Sequence, residues 1–161
     1  MKLADFGVFV IFAAIYAAGT LGLPEISFLA YQVRIGEMPS AFVALFGVPA
    51  IFGLTLGQFI ANLGLESQPI AFVSPAVSFL GLLVIYYTRK YNTLLGSVAY
   101  ILLTSLWLTV MLPIVRPGLS TADAAVSAFA GQSIAVMIGY AAYVAASKTI
   151  TKPTETSTRA D

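Results

Sequence analysis

Apolar residues fill this chain in long, nearly unbroken runs, and polar residues gather in the gaps between the runs rather than alternating within them. A bilayer core of about 30 Å takes about 20 apolar residues at a helical rise of about 1.5 Å each. Backbone amides with no water partner are satisfied inside a helix. The runs at 6–23, 69–88, 94–114 and 124–147 are each predicted to form a transmembrane helix. Arg89 and Lys90 close the second of these, with Tyr86, Tyr87 and Tyr91 as an interfacial aromatic cluster, and Lys148 ends the last. Residues 6–18 end in small side chains, as a signal peptide does. Lys2 is answered by Asp5, however, and nothing after the run reads as a soluble mature domain, so it is taken as the first span.

The stretch from Tyr31 to Gly64 fits neither one crossing nor two full ones. As a single helix it would reach about 50 Å. Gly47 and Pro49 lie near its middle, where a helix breaks most readily, so two short helices are expected over roughly 32–46 and 50–64. The expected fold is therefore an all-α integral membrane protein, a compact bundle of six transmembrane helices with the second and third short. The bundle covers residues 1–148, and a polar tail at 149–161, rich in Thr, is expected to be disordered. With six spans and a cytoplasmic N-terminus, Lys2, Arg89, Lys90, Lys148, Lys152 and Arg159 fall inside, Arg116 outside and Arg34 at or below the outer surface. Five spans with an external N-terminus satisfy the same bias almost as well, so segment length carries the choice of six.

Composition sharpens this picture by exclusion. Of 161 residues 59% are hydrophobic and only 9% charged, against roughly 25% charged in a soluble domain. Such a chain cannot coat a water-facing surface. A net charge of +1 gives no field that would draw nucleic acid. With no Cys and no His, disulfides, thiolate or imidazole metal sites and every Cys- or His-based catalytic scheme are excluded. No lysine sits within a span, which leaves an intramembrane enzyme without an obvious base. No catalytic residue, cofactor or metal is expected.

Several polar or small residues within the runs are candidates for function. Ala13 and Ala17, and Ala14 and Ala18, place small residues four apart on the first helix. This pattern suits either internal packing or docking of another protein. A second small-residue stripe, Gly53, Gly57 and Ala61, is assigned to helix packing, with Asn62 beside it to cap, to bond a neighbouring helix or to face a ligand. Gln32, Arg34 and Glu37 form the most informative cluster, since residues three apart share a helix face. Charges inside a membrane protein pair with each other or line a cavity, so the cluster is either an interfacial anchor or a polar pocket. Gln132 in the last helix must find amide partners, and Tyr100, Thr104 and Trp107 in the fifth offer hydroxyls and stacking faces.

The run Gln32-x-Arg34-x-x-Glu37, followed by Gly53-x-x-x-Gly57-x-x-x-Ala61-Asn62-Leu63, resembles the queuosine-precursor transporter (QueT-like) family. The likeness covers residues 8–145 loosely and 31–63 well. Proteins of that family are substrate-binding S components of energy-coupling-factor (ECF) transporters. The resemblance implies six helices with both termini cytoplasmic and capture of a 7-deazaguanine on the outer side. It also implies delivery through a transmembrane coupling subunit driven by ATPases. It makes Ala13, Ala14, Ala17 and Ala18 the docking surface and residues 23–31 an external gate. Glu37 would then accept paired hydrogen bonds from a guanine-type edge, with Arg34 orienting it. Gln32, Asn62 and Gln132 would meet the remaining edges, and Trp107 or Tyr100 would stack. One departure stands out: the family pattern has Gly-Glu where this chain has Gly131-Gln132. The competing reading is a structural or accessory membrane subunit with no small-molecule ligand.

Overall fold

The computed structural model describes residues 2–23, 33–65 and 69–150. Among them the chain forms six helices: α1 (Leu3–Leu21), α2 (Ile35–Phe46), α3 (Val48–Leu65), α4 (Pro69–Thr88), α5 (Thr93–Val115) and α6 (Thr121–Ile150). The all-α fold with a short second and third helix is as the hydrophobic runs predict. Of the six, α1, α4, α5 and α6 are long and apolar enough to cross a membrane, and α2 and α3 are the shorter apolar pair.

Local chemistry explains the boundaries. Gly47 sits at φ +68°, a backbone conformation that favours glycine, and so separates α2 from α3. The Asn92 side chain accepts from the amides of Leu94 and Leu95 at 2.9 and 3.3 Å and caps α5. Ser120 accepts from the Asp123 amide at 3.1 Å and donates to its carboxylate at 2.6 Å. This polar cap starts α6 at Thr121, three residues ahead of the apolar run, and the helix continues past Lys148 to Ile150. The remainder of the tail, 151–161, lies outside the described residues.

Contacts between helices give their directions. Gly36 at the start of α2 lies on Tyr16 and Thr20 of α1, and Phe46 at the end of α2 meets Phe12, so the two are antiparallel. Gly53 packs on Phe9 to Ala13 and Gly57 on Ala13 to Tyr16, so α3 runs parallel to α1 and the chain has reversed at Gly47. The pairs Phe52–Phe79 and Phe59–Phe72 make α4 antiparallel to α3. Tyr100 on Gly81 and Gly96 on Ile85 do the same for α5 against α4. Ser105 meets Ala128 and Thr93 meets Tyr143, which turns α6 back again. The helices alternate up and down, and both ends of the described bundle lie together. Lys2, Arg89, Lys90 and Lys148 gather at that end, while Arg116 stands at the other.

Packing closes the helices into a ring in the order α1–α3–α4–α5–α6–α2, with α2 returning to α1. Small residues permit the tightest seam. A Cβ on Gly53 would lie 2.5 Å from the Phe9 carbonyl oxygen, and one on Gly57 2.5 Å from that of Ala13, so α3 rests on the α1 backbone itself. The outward faces carry Val10, Ile11 and Ile15 of α1, Phe52, Phe59 and Ile60 of α3, Leu102, Leu106 and Val110 of α5, and Ile134 and Ile138 of α6. Polar side chains point inward instead, including Arg34, Glu37, Gln58 and Gln132. This inversion of the soluble pattern suits a lipid surround.

Candidate functional site

Two apolar layers bracket the inward polar residues. On α4 the order is Ala71, then Ser74 and Ser78, then Leu82 and Ile85. On α5 it is Leu112 and Leu108, then Trp107 and Thr104, then Ile101. On α6 it is Ala124 and Ala128, then Gln132, then Val136. Helical periodicity thus stacks three polar positions at one level, in the half of the bundle away from the chain ends. Arg34 at the cap of α2, Glu37 within it and Gln58 from α3 complete that level, and together these residues line one hollow.

Glu37 is the centre of the layer. It enters on a 3₁₀ stretch, Ile35–Phe42, where its backbone amide donates to the carbonyl of the extended cap residue Arg34 at 2.9 Å. Its carboxylate is held from two walls: the Tyr16 hydroxyl of α1 donates to Oε1 at 2.7 Å, and the Tyr100 hydroxyl of α5 donates to Oε2. Arg34, only 2% exposed, is near enough to act on both Glu37 and Tyr16 by its charge. Each carboxylate oxygen has two lone-pair directions, so each keeps one acceptor site beyond its tyrosine. The acid is fixed in place and still able to take two further donors.

The remaining walls supply hydroxyl, amide and aromatic groups. Trp107 Nε1–H donates to Ser74 Oγ at 2.8 Å, and that hydroxyl donates to the Met111 sulfur at 3.3 Å, which locks the indole against α4. Gln58 Oε1 and Gln132 Oε1 are buried and meet no donor among the described residues. The hollow itself is small, about 10 Å³, room for roughly one water molecule.

The residues singled out from sequence fall into three groups. Arg34, Glu37, Trp107 and Gln132 come together at the hollow. Tyr100 is the donor that holds Glu37 from α5, and one edge of its ring packs on Gly81. Asn62 does not line the hollow: its Nδ2–H donates to the Ala71 carbonyl at 2.9 Å and ties α3 to the first turn of α4. Gln32 and most of the expected gate, 24–31, lie outside the described residues. Gly53, Gly57 and Ala61 pack helices, Ala61 within the core. On α1, Ala13 is turned into the α3 seam rather than outward, Ala17 is half-buried, and Ala14 and Ala18 are exposed.

Sequence reasoning missed Tyr16, Gln58, Ser74 and Ser78. For Gln58 a signal existed, an amide in the middle of an apolar run. Nothing marks Tyr16, because an aromatic in such a run is equally at home facing lipid.

An apolar exterior around an interior cell with an acid, a guanidinium and two amide oxygens that meet no donor among the described residues defines a polytopic α-helical membrane protein with a built polar site. A family model described as QueT transporter matches residues 8–148, and the chain belongs to that family. It is accordingly a membrane transport protein. No curated protein and no solved structure matches the chain.

Proposed function

We propose that the chain is the substrate-capture (S) subunit of an ECF-type importer. It binds a queuosine precursor or a related 7-deazaguanine base from the outer side and passes it through an ATP-driven complex of a coupling subunit and ATPases. The observation that carries this reading is Glu37, buried in a membrane bundle with its carboxylate held by two tyrosine hydroxyls and two acceptor sites left over. A guanine-type edge presents a ring N–H beside an amino group, the pair of donors that such a carboxylate accepts. Trp107, held by Ser74, supplies a face for the ring.

The same reading places both termini in the cytoplasm of a multi-pass cell-membrane protein. Its support is the collection of Lys2, Arg89, Lys90 and Lys148 at the terminal end, with the polar layer in the opposite half. The exposed Ala14 and Ala18, beside the half-buried Ala17, offer the coupling subunit a close approach to α1. A hollow of about 10 Å³ is far smaller than the roughly 300 Å³ of a small-ligand pocket. Capture therefore moves helices apart, and α2, largely 3₁₀ and containing Pro39, is the wall with the least regular backbone to keep.

Equilibrium binding of a panel of 7-deazaguanines and vitamins to the purified subunit tests the proposal, with retained small molecules read by mass spectrometry. Wild-type protein binds a deazaguanine. Glu37→Gln, which turns one acceptor into a donor, loses about tenfold to a hundredfold in affinity while remaining folded. A wild-type subunit that binds nothing in the panel instead supports a structural subunit without a ligand.

A further inference from the structure

Within the polar layer, the acid and the two glutamines differ in one respect. Both oxygens of Glu37 are held by donors, whereas Gln58 Oε1 and Gln132 Oε1 meet none among the described residues, although each residue is at most 2% exposed. An unpaired buried carbonyl destabilises a fold. The two amides stand on α3 and α6, helices that occupy opposite places in the ring. Both line the one hollow. Among the described residues neither oxygen ties its helix to a neighbour, so helix packing does not account for the arrangement.

We propose that Gln58 and Gln132 are a specificity-determining pair, each offering an amide oxygen to a different N–H group of the bound ligand. This rests on the hollow being the base site, and it narrows the ligand to a planar heterocycle with two N–H donors beyond the pair that Glu37 accepts. A free 7-deazaguanine has them: the second N–H of its amino group and the pyrrole N–H. A nucleoside, substituted at the pyrrole nitrogen, lacks the second. The site then selects the free base over its glycosylated form, because a ligand without that donor leaves a glutamine oxygen buried and unpaired.

Full-length protein and its Gln58→Met and Gln132→Met variants, in detergent, are titrated with 7-deazaguanine, with its pyrrole-N-methyl derivative and with 7-deazahypoxanthine, which lacks the amino group. Thermal unfolding is measured without ligand. Each methionine variant melts at or above the wild-type temperature, since it removes an unpaired amide, yet binds 7-deazaguanine about tenfold to a hundredfold more weakly. One of the two variants loses that deficit with the N-methyl ligand, which identifies the glutamine serving the pyrrole edge. Unchanged affinities overturn the proposal. So does a fall in melting temperature accompanied by equal weakening for all three ligands, the mark of a packing role. If wild type binds none of the three, the base-site reading falls with it; if wild type binds them and the glutamines do not matter, only the present proposal falls.

Discussion

The α1–α3 seam and the polar layer lie side by side in one bundle and follow opposite rules. At the seam, Gly53 and Gly57 bring two backbones together, Ala13 fits between them, and contact is dry and apolar. In the polar layer, eight hydrogen-bonding side chains share a hollow of about 10 Å³, and two glutamines among them have an oxygen that meets no donor among the described residues. In lipid there is no hydrophobic gain from hiding apolar side chains, so close packing holds the helices together. The seam therefore accounts for cohesion. The layer works against cohesion wherever its groups are unpaired, which is the expected signature of a site shaped for a ligand.

The contrast can be broken most sharply at Arg34. Arg34→Met leaves the Glu37 carboxylate buried without its neighbouring positive charge, and a loss of about 3–5 kcal/mol is expected in detergent unfolding, together with loss of ligand binding. Gly57→Leu strikes the seam instead. Its side chain would run into the Ala13 carbonyl and the Tyr16 Cβ, so α3 must lift from α1. The expected cost is about 1–3 kcal/mol, seen as a lower melting temperature. Because Tyr16 also holds Glu37, binding weakens as a secondary effect. The smallest change is expected for Asn62→Ala, which removes one bond to the Ala71 carbonyl. About 1 kcal/mol of stability is lost, and affinity for a deazaguanine stays within twofold. A large affinity loss there would move Asn62 into the site and blur the distinction between the two regions.

Much of the fold was legible along the chain, and so was half of the site. The lengths of the apolar runs marked the long helices, and Gly47 marked the reversal, because a helix cannot pass through a residue held at positive φ. Arg34 and Glu37 announced themselves because charges are rare in such runs. Tyr16 and Gln58 did not, and no local pattern shows that Tyr100 holds the acid or which of its possible partners Asn62 takes, the Ala71 carbonyl of the next helix.

The sequence by itself determined that the chain lives in lipid, which segments form its helices, and which charges must be accommodated, since each of these follows from the transfer of a local segment between water and hydrocarbon. Only the tertiary structure decided the ring order, the side of each helix that turns inward, and the partners that Glu37 finds. In a soluble protein an apolar stripe points to the core. Here apolar side chains are equally at ease inside and out, so the inward face is set by close backbone approach and by polar groups finding one another across helices, and neither is written in the periodicity of a single segment.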